Sequence, residues 1–167
     1  NAQVYIDNIV HGLSDLSPQD AAFFEARGKA YKASLKQLEQ EAQAQLSLIP
    51  PQKRKVITSH SAFGYLGRDF DIIFSAPLGL STESEPSAKG VAALIDQIQR
   101  EGIQAIFIEN ISNPRLMEQI AAETHTHIGG TLYSDALSAP GTEADTYLKM
   151  MRFNLSSLIK SMGKNRG

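Results

Sequence analysis

Ile103-Gln104-Ala105-Ile106-Phe107-Ile108-Glu109 decides how this chain is read. Its apolar run is short, β-branched and nearly unbroken, as in strands buried on both faces of a parallel sheet. Just upstream, Val91, Leu94, Ile95 and Ile98 recur at helical spacing and lead to Gly102, a C-cap. Just downstream, Pro114 opens another helix with Leu116, Met117 and Ile120 inward. The same alternation continues outward. Lys55-Val56-Ile57-Thr58-Ser59 reads as a strand, Ala62 to Leu66 as a short helix and Ile72-Ile73-Phe74 as a second strand. A loop rich in Pro, Gly, Ser and Glu follows over residues 76–86. On the other side, a fourth strand lies near His127 to Thr131, and a last helix carries Tyr147, Leu148, Met151, Leu155, Leu158 and Ile159. Strands alternating with helices predict an α/β fold, a four-stranded parallel sheet flanked by helices.

Two helices precede this alternation. Ile6, Ile9, Val10 and Leu13 recur at helical spacing from the first residues, with no start signal, which suggests a chain cut from something longer. Ser17-Pro18-Gln19-Asp20 reads as a fresh start: Ser17 to cap, Pro18 in the first turn, Asp20 at the positive end of the dipole. The helix that follows carries Phe24, Tyr31, Leu35, Leu38, Ala42 and Leu46 along one face and stops before Pro50-Pro51. It is long for a domain of this size and reads as a connector or brace. The expected division is leading helices over 1–50 and an α/β lobe over 51–167.

Composition narrows the function. Lys and Arg number 16 against 18 Asp and Glu, for a net charge of −2. No basic stripe interleaved with aromatics appears, which argues against nucleic acid. Lys53-Arg54-Lys55 reads as a solvated lead-in to a strand. Cysteine is absent, so disulfides, thiolate zinc sites and cysteine nucleophiles are excluded. No apolar run reaches the roughly 20 residues of a membrane span. No Gly-rich phosphate loop is present, and Leu78-Gly79-Leu80 is too sparse to form one. Ser59 and Ser61 flank His60 but sit in no Gly-x-Ser-x-Gly elbow.

Three polar residues stand just past strands: His60, Glu109 and Asp135, the last after Gly129-Gly130-Thr131-Leu132-Tyr133-Ser134. The carboxyl ends of strands in an open parallel sheet line one crevice, so the three should converge. A histidine with one or two carboxylates suits zinc or manganese. Each residue has a plainer reading. His60 can cap the next helix or bond within its loop. Asp135 can belong to a turn. Glu109 can ligate, hold a ligand from behind or pair with Arg115, and the last two are favoured. His125 and His127 share a strand face but stand at its amino end, away from the crevice, and read as exposed. His11 reads as a helix-surface residue.

Five stretches in order resemble one family: Thr58-Ser59-His60-Ser61-Ala62-Phe63, Glu83-Ser84-Glu85-Pro86-Ser87, Ala105-Ile106-Phe107-Ile108-Glu109, Gly129 through Ser138, and Tyr147-Leu148-Lys149-Met150-Met151-Arg152-Phe153-Asn154. The chain is similar to the C-terminal half of the zinc/manganese-binding solute-binding proteins of ABC transporters, the cluster A-I or lipoprotein-adhesin family. The resemblance implies two α/β lobes joined by a long rigid helix, with the ion between them. It implies that His60 and Asp135 are metal ligands and that two histidines come from an N-terminal lobe. Asn1-Ala2-Gln3-Val4-Tyr5 resembles the stretch just after the second of these, so the N-terminal lobe is expected to be missing here. Also implied are zinc first and manganese second as transported ligand, an ABC membrane permease as partner, a periplasmic or extracellular location with a possible lipoprotein anchor, and no enzymatic activity. Without its other lobe, the fragment is expected to expose apolar surface and self-associate. The competing readings are a zinc-dependent hydrolase, with His60, Glu109 and Asp135 around an ion that activates water, and an adhesin module, for which no interaction motif is found.

Overall fold

β-Branched and aromatic residues build four strands into one parallel sheet: β1 (Lys55–Ile57), β2 (Ile73–Ser75), β3 (Ala105–Glu109) and β4 (His127–Leu132), in the order β2-β1-β3-β4. The computed structural model describes residues 1–77 and 87–163. Leu78-Gly79-Leu80, most of the 76–86 loop and Glu83 to Pro86 lie outside the described residues. Helices carry the chain between strands: α3 (Gly64–Phe70), α4 (Ala88–Glu101) and α5 (Arg115–Thr124), with α6 (Tyr147–Gly163) after β4. Ser87 caps α4 by accepting from the Gly90 amide, and Gly102 closes it in the left-handed region at φ 61°.

Successive strand residues face opposite sides, and each side has its own core. Val56 and Phe107 join Leu46, Ile49, Leu132, Leu158 and Met162 on one face. Ile57 and Ile106 join Leu94, Ile98, Met117 and Ile120 on the other. The sheet is therefore the middle of three layers, which is why its strands read as continuous apolar runs.

Several boundaries differ from expectation. β1 stops at Ile57, because Thr58 turns its hydroxyl onto the His60 carbonyl at 3.0 Å and the chain bends there. β3 begins at Ala105, since the Ile103 amide still closes the end of α4 by donating to Ile98 O. It also takes in Glu109, so this acid is the last strand residue and not the residue beyond. The short helix starts at Gly64 and runs to Phe70, later and longer than expected. Ser17 does not cap with its side chain. Its hydroxyl donates to the Asp20 carboxylate at 2.8 Å, and Pro18–Asp20 form a 3-10 turn.

Two compact units divide the chain at residues 1–43 and 44–167. The first holds α1 (Ala2–Leu16) and most of α2 (Ala21–Leu46). Ile6 and Val10 meet α2 at Gly28, where a Cβ would lie 2.5 Å from Val10 Cγ2. An ion pair between Lys32 and Asp7 ties the same two helices. Tyr5, Ile9, Leu13 and Leu16 are exposed, in line with the apolar surface expected of the leading helices. In the second unit, Leu46 and Ile49 enter the sheet core.

Candidate metal centre

The strand order locates the crevice. From β1 the chain passes through α3 to β2 on one side, then through α4 to β3 on the other side of β1. Connections therefore diverge between β1 and β3, and the carboxyl ends of these neighbours form a topological switch point, the usual ligand site of such sheets. His60 lies just past β1, Glu109 ends β3, and Asp135 follows β4.

All three come together there. His60 is 3% exposed and Glu109 1%. The His60 amide donates to Glu109 Oε1 at 2.9 Å. His60 Nδ1 lies 2.7 Å from Glu109 Oε2. The two atoms are in close contact without an aligned hydrogen bond, and neither has a hydrogen-bond partner among the described residues. Of the two partners weighed for it in sequence, Glu109 thus turns to His60 and not to Arg115. A carboxylate at Nδ1 keeps the proton on that nitrogen and leaves the Nε2 lone pair facing outward. Nε2 lies 3.2 Å from Asp135 Oδ2, whose side chain is 62% exposed. Two donors about 2.1 Å from one ion, at a tetrahedral angle, lie about 3.4 Å apart. The His60–Asp135 spacing is close to that value.

Neither asparagine that holds the Asp135 segment stood out in the sequence as a site residue. Asn154, buried on α6, accepts from the Tyr133 amide at 2.9 Å and donates to the Tyr133 carbonyl at 2.7 Å. Removing it would strand two backbone groups at about 1–3 kcal/mol each. Asn110 accepts from the Ser134 amide at 3.3 Å and donates to the Ala136 carbonyl at 3.1 Å. The available signal was a polar residue among the inward apolar positions Met150, Leu155 and Leu158 of α6, and an amide directly after the acid that ends β3. Farther along, the Tyr133 hydroxyl donates to Glu143 at 3.0 Å. Burial pushes that hydroxyl above the usual tyrosine range, and the Glu143 carboxylate adds to the effect. Asp145 accepts from the Gly141 amide at 2.8 Å and from Lys149 at 2.7 Å. The lysine, then the amide, hold its carboxyl below the ordinary range.

The remaining histidines stand apart. His11 is exposed, 3.5 Å from Asp15. His125 closes α5 in the left-handed region at φ 55°. His127 opens β4 at its amino end, with Nε2 2.9 Å from Ser161 Oγ. Among the described residues no group of three or more His, Asp or Glu side chains is arranged to hold an ion. Glu109 meets His60 at Nδ1, and Asp135 meets it at Nε2.

Residues 1–161 match the family described as zinc-uptake complex component A, periplasmic. The chain is 32% identical over 162 residues to the manganese-binding lipoprotein MntA of Bacillus subtilis, which covers 94% of this chain and 53% of that protein. It is 26% identical over 164 residues to the metal ABC transporter substrate-binding lipoprotein SloC of Streptococcus mutans, covering 98% of this chain and 54% of that protein. The manganese-bound periplasmic metal-binding protein from Candidatus Liberibacter asiaticus superposes with a TM-score of 0.86 at 30% identity, over 97% of this chain and 60% of that one. The periplasmic zinc-binding protein TroA of Treponema pallidum gives 0.88 at 28% identity, over 93% and 58%. The chain spans about half the length of the curated relatives it matches.

Proposed function

The chain belongs to the periplasmic zinc-uptake complex component A family, and from that premise we propose that it serves a solute-binding protein that carries zinc or manganese to an ABC importer. The observation that carries the reading is the 3.2 Å approach of His60 Nε2 to Asp135 Oδ2 at the switch point of the sheet. His60 and Asp135 are the ligands this chain contributes. Glu109 holds the imidazole from behind and does not touch the ion. Further ligands come from water or from residues outside this pair. Completed to four protein ligands with no open water position, such a site would hold an ion without acting on it, which suits transported cargo.

One imidazole and one carboxylate suit zinc first and manganese second. The relatives support both metals: TroA is named for zinc and MntA for manganese. The leading helices over residues 1–50 serve as a connector to the other lobe of the carrier, and residues 51–167 form the lobe that bears His60 and Asp135. The carrier works outside the cytoplasm, in the periplasm or anchored as a lipoprotein, as the names of the relatives suggest. Among the described residues no helix is long and apolar enough to cross a membrane. The importer's membrane permease is the partner.

Calorimetric titration with zinc and then manganese tests the assignment. His60→Ala and Asp135→Ala are each expected to weaken binding by at least about tenfold and to leave the metal-free fold intact. Unchanged zinc affinity in both variants would overturn the assigned ligands.

A further inference from the structure

Asp135 is an exposed side chain on a segment without regular structure, three residues past the end of β4. Such a carboxylate would ordinarily wander, yet it faces a buried imidazole at 3.2 Å. What holds it is attached to the neighbouring strand. Asn110 bonds the backbone of the residues on either side of Asp135, accepting from Ser134 N and donating to Ala136 O. Its own amide donates to Leu132 O at 3.0 Å, which extends the β3–β4 ladder by one rung and fixes its position.

The residue before Asn110 is Glu109, which grips His60. The dipeptide Glu109-Asn110, at the end of β3 and the start of the turn after it, thus touches both sides of the site: Glu109 meets His60 and Asn110 meets the Asp135 segment. We propose that Asn110 is a positioning residue for the cargo metal. By clipping Ser134 N–H and Ala136 C=O, on the residues before and after Asp135, it sets the distance from that carboxylate to His60 Nε2, and with it the affinity for the ion. The amide suits this role because it offers an acceptor and a donor on one rigid plane, matched to an N–H and a C=O. It carries no charge that would compete for the ion. The inference rests on the proposed ligand role of His60 and Asp135.

A double-mutant cycle read by zinc titration tests it, with zinc chloride as the probe on the full chain. Asn110→Ala is expected to weaken zinc binding about tenfold, the lower end for groups that orient metal ligands, with the metal-free melting midpoint unchanged. In the Asp135→Ala background the same substitution is expected to change affinity by less than about twofold, because the carboxylate it positions is gone. A purely structural role would weaken binding equally in both backgrounds and would overturn the proposal. Wild-type affinity in Asn110→Ala, with a loss in Asp135→Ala, would also overturn it and leave the ligands standing. Wild-type affinity in both His60→Ala and Asp135→Ala would instead sink the site itself. If Asn110→Ala does not fold, Asn110→Ser repeats the test: it is too short to reach Ala136 O but still polar. The same two comparisons decide it.

Discussion

Glu109 and His60 stabilise each other where each alone would be costly, since a buried carboxylate without a partner loses its hydration. The contact also selects which ring nitrogen carries the proton. This predicts an unusual response to a nearly isosteric change. In Glu109→Gln the side-chain oxygen can still accept from the His60 amide, but the group facing Nδ1 becomes an NH2 donor. The imidazole then has to accept at Nδ1 and carry its proton on Nε2, where it cannot ligate. The expected outcome is a roughly 10–100-fold loss of zinc affinity with the fold retained. NMR of the ring nitrogens in the metal-free protein checks the tautomer directly, and an unchanged tautomer would remove the basis of the prediction. In sequence, Glu109 reads both as a pair for nearby Arg115 and as a residue that holds a ligand from behind. The partner it takes is 49 residues away, and no local pattern reports such a contact.

β4 shows what an element contributes to a site beyond its own residues. Its pairing with β3 shifts register between Ile106 and Phe107, leaving Gly129 without a rung between Ile128 and Gly130. A Cβ at Gly129 would stand 2.7 Å from Phe107 Cζ and 2.6 Å from Ser161 Oγ. The glycine is there because a ring and a helix hydroxyl occupy the space a side chain would need. Gly129→Ala is expected to destabilise the protein by about 1–3 kcal/mol, the usual cost of forcing extra volume into a packed region, read by urea denaturation. The alternation of elements, the sheet class and the convergence of the strand ends were legible, because buried parallel strands and amphipathic helices leave strong periodic signals. Boundaries were less so. Thr58 and Ser59 are as compatible with a strand as Val56, and only the hydroxyl bond to the His60 carbonyl ends β1 early. On α1 periodicity marked the apolar stripe but not which part of it meets Gly28: Ile6 and Val10 do, while Ile9 and Leu13 stay exposed. The clamps of Asn110 and Asn154 stayed hidden, because their partners are backbone groups that carry no sequence signature.

At the scale of the molecule, the crossover that places β3 beside β1 also governs when the site can exist. β1 and β2 pair across a short connection, but β1 meets β3 only after the chain through β2 and α4 has been laid down between them. Closing longer segments costs more entropy and slows folding. His60 can therefore be ordered by β1 well before Glu109 arrives to set its proton, and Asp135 is later still in the chain. On the proposed ligand assignment, metal capture is expected at the end of the folding reaction, with no partly formed pocket for an early ion to nucleate. In stopped-flow refolding, zinc uptake reported by a chelating dye is expected to follow the slowest phase of secondary-structure recovery, with added zinc leaving the folding rate unchanged and slowing only unfolding. Zinc that accelerated folding would mean that the pair forms before the sheet does.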